Sequence, residues 1–309
     1  MTHTESAWVV TGPTSGYGRA TALELARHGT VVLVGRSPEK VAAVRAEIQA
    51  AGGHAVPVVA DFADIVSVRR AAAEIAALGL PIRGVLNNAG IQTAARAVSR
   101  QGWDLSFAVN HLGPLAFTEA LIPTLADGTN IVFIASAVED PQRKAAVRVG
   151  FRGARYISAE ASSRGEFAPG GSTHAGWDAY ATSKQGNLAT VFCLAREHPR
   201  LRFRAIEPGV NPGSNLGDLP PAARRLAKAL TPALTVLPHF TTSKRAAKII
   251  TRIVTDSSTA SGVYYDENGA PMRGSEQVHD PAFSDRYVAE SRALLAAVPA
   301  SVMDVGPSV

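Results

Sequence analysis

Thr11–Gly18 reads TGPTSGYG, directly after the apolar run AWVV at 7–10 and directly before ATALELARH at 20–28, which has helical period. A glycine-rich turn between a first strand and a first helix is the signature of a dinucleotide site. Gly12 permits the tight turn, Gly16 lets a ligand approach the backbone, and Gly18 lets the helix pack close. The freed amides at the helix start can then hold a pyrophosphate. Thr14, Ser15 and Tyr17 lie in the same turn and join the three glycines as candidate cofactor contacts.

Outward from this turn, short β-branched runs alternate with amphipathic stretches: VVLVG at 31–35, PEKVAAVRAEIQA at 38–50, AVPVVA at 55–60, IVSVRRAAAEIAAL at 65–78, RGVLNN at 83–88 and NIVFIAS at 130–136. A helix from about 178 to 197, a strand LRFRAIEP at 201–208, helices near 220–230 and 242–255, and a strand near GVYY at 262–265 continue the rhythm. Alternation of this kind predicts a parallel sheet covered on both faces. The expected fold is therefore α/β, a single doubly wound Rossmann domain over 1–309 with about seven parallel strands. Two segments interrupt it. Residues 137–176 read as an insertion and 280–309 as a peripheral extension.

The chain has 309 residues, 46% of them hydrophobic, enough for a substantial core. Its single cysteine, Cys193, excludes an intrachain disulfide and lies in the apolar stretch VFCLA, where packing explains it. No apolar run is long enough for a spanning helix and no basic-then-apolar leader opens the chain, so a cytoplasmic protein without a membrane span is expected. The net charge of +5 comes from 31 basic and 26 acidic residues without a basic block. That pattern gives no sign of nucleic-acid binding, and no metal-ligand cluster stands out.

The glycine spacing of the turn, three residues and then one, resembles that of the short-chain dehydrogenase/reductase family. Further motifs fall in that family's order: Asp61 after the third strand, NNAG at 87–90, Asn110 in the following helix, Ser136 after the fifth strand, Tyr180 with Lys184, and Pro208-Gly209 after the sixth. A Tyr followed four later by Lys is expected by chance roughly 0.12 times in such a chain, so the ordered series, and not the pair, carries the resemblance. It implies that Asp61 with Phe62 meets adenine, that Asn88, Ala89 and Gly90 line the nucleotide cleft, and that Pro208, Gly209 and Val210 border the nicotinamide end. VNHLGPLAFTEALIP and AYATSKQGNLATVF look most like the branch of retinol dehydrogenases and protochlorophyllide reductases, whose substrates are bulky and apolar.

Cofactor choice is read after the second strand. An acid there suits a ribose 2′-hydroxyl, an Arg a 2′-phosphate. VGRSPEK presents Arg36 and Ser37, with no acid before Glu39, which predicts NADP(H) over NAD(H).

The reaction follows from hydride chemistry. Reducing a carbonyl needs a hydride from nicotinamide and a proton for the alkoxide. A Tyr of ordinary pKa, about 10, needs help to form its phenolate. Lys184, one turn along from Tyr180, supplies a positive charge, and Asp178 as N-cap would place Tyr180 in the first turn. Tyr180 is thus the expected general acid/base and Ser136 the expected holder of the substrate oxygen. The resemblance adds that Lys184 bonds the nicotinamide ribose and that Asn110 holds a proton-relaying water; His111 reads as an ordinary buried imidazole.

Two departures stand out. Gly213 and Ser214 replace the Thr commonly found after Pro-Gly, and 44 residues separate Ser136 from Tyr180. That insertion either covers oligomerisation faces, leaving a monomer, or forms a substrate lid; a homodimer through other faces stays open. The expected activity is interconversion of a carbonyl and an alcohol on a moderately large apolar small molecule. A non-catalytic NADP(H) sensor and a carbon–carbon double-bond reductase are the alternatives.

Overall fold

In the computed structural model, which describes residues 6–93, 95–174, 176–211 and 239–299, eight strands form one sheet in the order β3-β2-β1-β4-β5-β6-β7-β8. The strands are β1 (Ala7–Thr11), β2 (Thr30–Gly35), β3 (Ala55–Val59), β4 (Ile82–Asn87), β5 (Asn130–Ile134), β6 (Arg202–Ile206), β7 (Val263–Tyr265) and β8 (Pro271–Met272). The first seven are parallel, as the sequence rhythm predicts. The two-residue β8 adds an antiparallel edge that the sequence reading did not include.

Parallel strands covered on both faces should be buried throughout, and β1, β2 and β5 are buried at every residue. Their period-two alternation sends side chains into two separate cores. Trp8, Val10, Val31 and Leu33 face the helices α1 (Gly16–Leu25) and α2 (Pro38–Ala50) and the later helix Ser243–Val254. Val9, Val32 and Val34 face α3 (Ile65–Ala77), a helical run formed by α4 (Leu105–Phe107), a π-turn at Ala108–Leu112 and α5 (Gly113–Leu121), and a long helix at Trp177–Glu197.

Between Ser136 and that long helix the chain forms two short helices, α6 (Lys144–Val149) and α7 (Ala159–Ser163). The long helix is α8, Ser243–Val254 is α9, and Pro281–Ala296 is α10. The segment after 280, expected at the periphery, instead lays α10 along α8 and buries Tyr287 and Val288 completely. The Tyr287 hydroxyl donates to the Thr182 carbonyl at 2.8 Å, and Arg69 of α3 donates to the carbonyls of Leu295 and Val298 at the end of α10. Among the described residues no helix is long and apolar enough to cross a membrane. The helix expected near 220–230, with Gly213 and Ser214, lies outside the described residues.

The order reverses between β1 and β4, so their carboxyl ends open a crevice at the switch point, where open α/β sheets take ligands.

Candidate active site

Gly12 follows β1 with φ 65° and Gly16 opens α1 with φ 54°, backbone states that favour glycine. At Gly18 the constraint is space. A Cβ there would lie 2.2 Å from the Gly12 carbonyl oxygen and 2.3 Å from Asn88 Nδ2. Ser15 caps α1 in extended conformation without a side-chain bond, so its hydroxyl satisfies none of the first amides of the helix. The buried Thr11 hydroxyl ties this turn to the NNAG segment by accepting the amides of Asn88 and Ala89, both at 2.9 Å. Asn88 returns the bond by donating to the carbonyls of Thr11 and Gly12. Asn88 is thus a brace of the glycine turn as much as a wall of the cleft. Tyr17 closes the opposite side, its hydroxyl donating to the Gly209 carbonyl at 2.8 Å.

The second cofactor region is more mixed. Arg36 is exposed at the end of β2 and shares with Asp61, Arg70 and Arg100 a cavity of about 500 Å³. Ser37 is spent on structure: it accepts the Lys40 amide as N-cap of α2 and donates to the Glu39 carboxylate at 2.8 Å. Asp61 shapes its own turn through the Ala63 amide at 3.0 Å. The Phe62 ring belongs to the core, edge-on to Phe117 at 5.6 Å, so its backbone alone is left for a nucleotide. The Val210 backbone is paired, its amide donating to the His239 carbonyl and its carbonyl accepting the Thr241 amide, while its side chain is exposed.

α8 carries two of the expected reacting groups, Tyr180 and Lys184. Its N-cap is Gly176 at φ 79°, not Asp178, because the Asp178 carboxylate turns back to accept the Ser172 amide at 2.8 Å. Tyr180 still falls in the first turn, its amide bonded to the Gly176 carbonyl. The Ser136 hydroxyl lies near enough to the Tyr180 phenol to favour its ionised form. Lys184, one turn on, is 3% exposed, donates to the Ile134 carbonyl at 2.9 Å and lies 5.5 Å from the Tyr180 ring centre. Asn110 sits in the π-turn, a distortion frequent at functional positions. Its amide pairs with both backbone groups of Ile91 at 2.8 Å and donates to Ser183 at 3.1 Å. Next to it, His111 is buried against Ser291 of α10, and burial lowers its pKa to about 3, which makes it a neutral packing group.

In the free chain burial and the Glu207 carboxylate push the Tyr180 phenol above its ordinary range, and the Ser136 hydroxyl pulls the other way. Burial also lowers Lys184 to about 8, while Glu207 raises it. Tyr180 therefore rests as a phenol, the form that can give a proton.

Glu207, which the sequence reading passed over, is the site's unannounced member. The signal for it was an acid directly before Pro208-Gly209, where a polar side chain at a strand's carboxyl end faces the crevice.

The family model for short chain dehydrogenase matches residues 6–147. A short-chain dehydrogenase/reductase of Armillaria gallica is 33% identical over 68% of this chain and 65% of its own length. The polyprenol dehydrogenase of Mus musculus is 38% identical over 42% of this chain and 41% of its own length. The chain thus spans about two thirds or less of these relatives. Among solved structures, a short chain dehydrogenase from Burkholderia cenocepacia in complex with NADP superposes with a TM-score of 0.61 at 23% identity, over 84% of this chain and 94% of that one. A blue fluorescent protein from a metagenomic library in complex with NADPH gives 0.62 at 23% identity, over 85% and 96%. At those identities the likeness is one of fold.

Proposed function

Because the chain belongs to the short-chain dehydrogenase/reductase family, we propose that it is an NADP(H)-dependent oxidoreductase that interconverts a carbonyl and an alcohol on a moderately large, apolar small molecule. The carrying observation is that Ser136, Tyr180 and Lys184, 44 residues apart at the extremes of the first pair, converge beside a glycine turn that no Cβ at position 18 would permit. The first amides of α1 suit the pyrophosphate and the exposed Arg36 a 2′-phosphate. Ser37, held by α2 and Glu39, contributes to the turn and not to the phosphate.

When bound, the nicotinamide supplies or accepts the hydride. The residues of this chain do the rest. Ser136 orients the substrate oxygen, and Tyr180 gives it a proton as negative charge builds there. The Lys184 ammonium then stabilises the phenolate, a task made effective by the buried setting. In the oxidative direction the same groups run in reverse. The bulky, apolar substrate class is supported by the polyprenol dehydrogenase resemblance and by the apolar lining that Val138, Phe151 and Trp177 form around Tyr180. The Phe151 and Trp177 rings stack at 4.0 Å.

A screen of ketones, aldehydes and quinones, following oxidation of NADPH and of NADH, tests the reading. It expects turnover with at least one class and a preference for NADPH. Binding of NADPH without turnover of any class would replace it with a non-catalytic sensor.

A further inference from the structure

Glu207 directly follows β6 and Ser136 lies two residues beyond β5; the two strands are neighbours, with Ile206 opposite Ile134. The acid is 8% exposed. Its backbone amide is fixed to the Tyr265 carbonyl at 2.8 Å, so the side chain is delivered from a rigid stem. Its Oε2 accepts the amide of Ala137, the peptide that immediately follows Ser136. The carboxylate therefore grips the turn that carries the Ser136 hydroxyl.

Its charge also reaches the reacting pair. Glu207 acts electrostatically on Tyr180 and on Lys184, with Tyr17, Tyr264 and Glu139 in the same field. On its outer side stand Arg143 from the insertion, His239 and Glu267. Arg143 and Glu267 both meet His239 Nδ1, and His239 is the only non-glycine among the described residues with positive φ, at 68°. Burying an acid at the end of a strand is costly unless it is bonded and opposed by charge. Burial raises the Glu207 pKa and Glu267 adds to that, while the Ala137 amide, Arg143 and His239 favour the ionised form.

We propose that Glu207 is a positioning residue of this site: it holds the turn that carries Ser136 through the Ala137 amide, and from there its charge bears on Tyr180 and Lys184. Both roles act through other residues, and they rest on the oxidoreductase reading above. Glu207 favours the charged form of the lysine that steadies the phenolate, and it opposes premature loss of the Tyr180 proton.

A titration of the ligand-free full chain by carbon NMR tests this without cofactor or substrate. The Lys184 Cε signal, assigned by its loss in Lys184→Arg, is followed against pH in the unaltered chain and in Glu207→Gln. The Gln keeps an oxygen for the Ala137 amide and removes the charge. The Lys184 midpoint is expected near 8 in the unaltered chain and lower by about one unit in Glu207→Gln. Coincident midpoints in two folded proteins would overturn the proposal. Should Glu207→Gln fail to fold, the unaltered chain still decides: the Glu207 Cδ signal must register the Lys184 titration, and silence there counts against coupling. With a substrate class from the screen, Glu207→Ala, which also frees the Ala137 amide, is expected to lower kcat more than Glu207→Gln does; equal losses would contradict the hold on Ser136. Failure of the screen with coupling intact would sink the activity and leave the pairing standing.

Discussion

The glycine turn at 11–18 and helix α8, which begins at Trp177, are stabilised by opposite means. At the turn, the structure depends on atoms that are missing: Gly18 presses against Gly12 and Asn88, and its partners are supplied by the ends of two adjacent strands. At the helix, it depends on side chains that remote segments hold in place. Arg155 of the insertion donates its amide to Thr182, Tyr287 of α10 donates to the Thr182 carbonyl, and Tyr156 stacks on Tyr287 at 3.8 Å while bonding Glu290. The Glu139 carboxylate, buried at the start of the insertion and raised to about 7 by that burial, clamps the Ser275 amide and hydroxyl near the C-terminal segment. One region should thus be intolerant of an added atom, and the other sensitive to changes far along the chain.

The sharpest break of that contrast is Gly18→Val. With backbone only 2.2 Å from the new Cβ, the turn must open, which is expected to abolish NADPH binding by calorimetry. It should also lower stability by about 1–3 kcal/mol, the usual cost of overpacking. Unchanged binding would mean that the turn does not hold the dinucleotide. Arg36→Ala comes next and touches one contact only. Loss of a charge-assisted bond to the 2′-phosphate is expected to raise the NADPH Kd roughly 10–100-fold while leaving NADH alone. An equal loss for both cofactors would remove Arg36 from phosphate recognition. Tyr287→Phe has the smallest effect and probes the remote bracing. Removing its hydroxyl from the Thr182 carbonyl should cost about 1 kcal/mol in chemical denaturation, with NADPH affinity unaltered. A change in affinity without a change in stability would contradict the division between the two regions.

The same contrast explains what could be read from residues alone. The glycine turn, NNAG and the Tyr180–Lys184 pair are short-range patterns in which residue type dictates conformation or chemistry, and each lies at the strand or helix end the pattern implies. The bracing is long-range and carries no local mark. α10 has helical period but no sheet partner in sequence, so nothing in 281–296 announces that Tyr287 is fully buried. Asp178 has the residue type of an N-cap, yet tertiary structure draws its carboxylate to Ser172 and leaves the cap to a left-handed Gly176. The Phe62 ring packs in the core and the Val210 backbone bridges to 239–241, long-range contacts that neither motif announces. Glu207 goes unnoticed in the sequence because burial cannot be inferred from one charge beside Pro-Gly.

The central claim is that the two regions divide binding from chemistry, and Tyr180→Phe measures that division most directly. NADPH affinity by calorimetry and turnover of a carbonyl substrate are determined on the same preparation. The expected result is an unchanged Kd with kcat lowered by roughly 10²–10⁴-fold, the contribution of a positioned proton donor. A Phe variant that retains turnover, or that loses NADPH affinity in the same proportion as turnover, would contradict it.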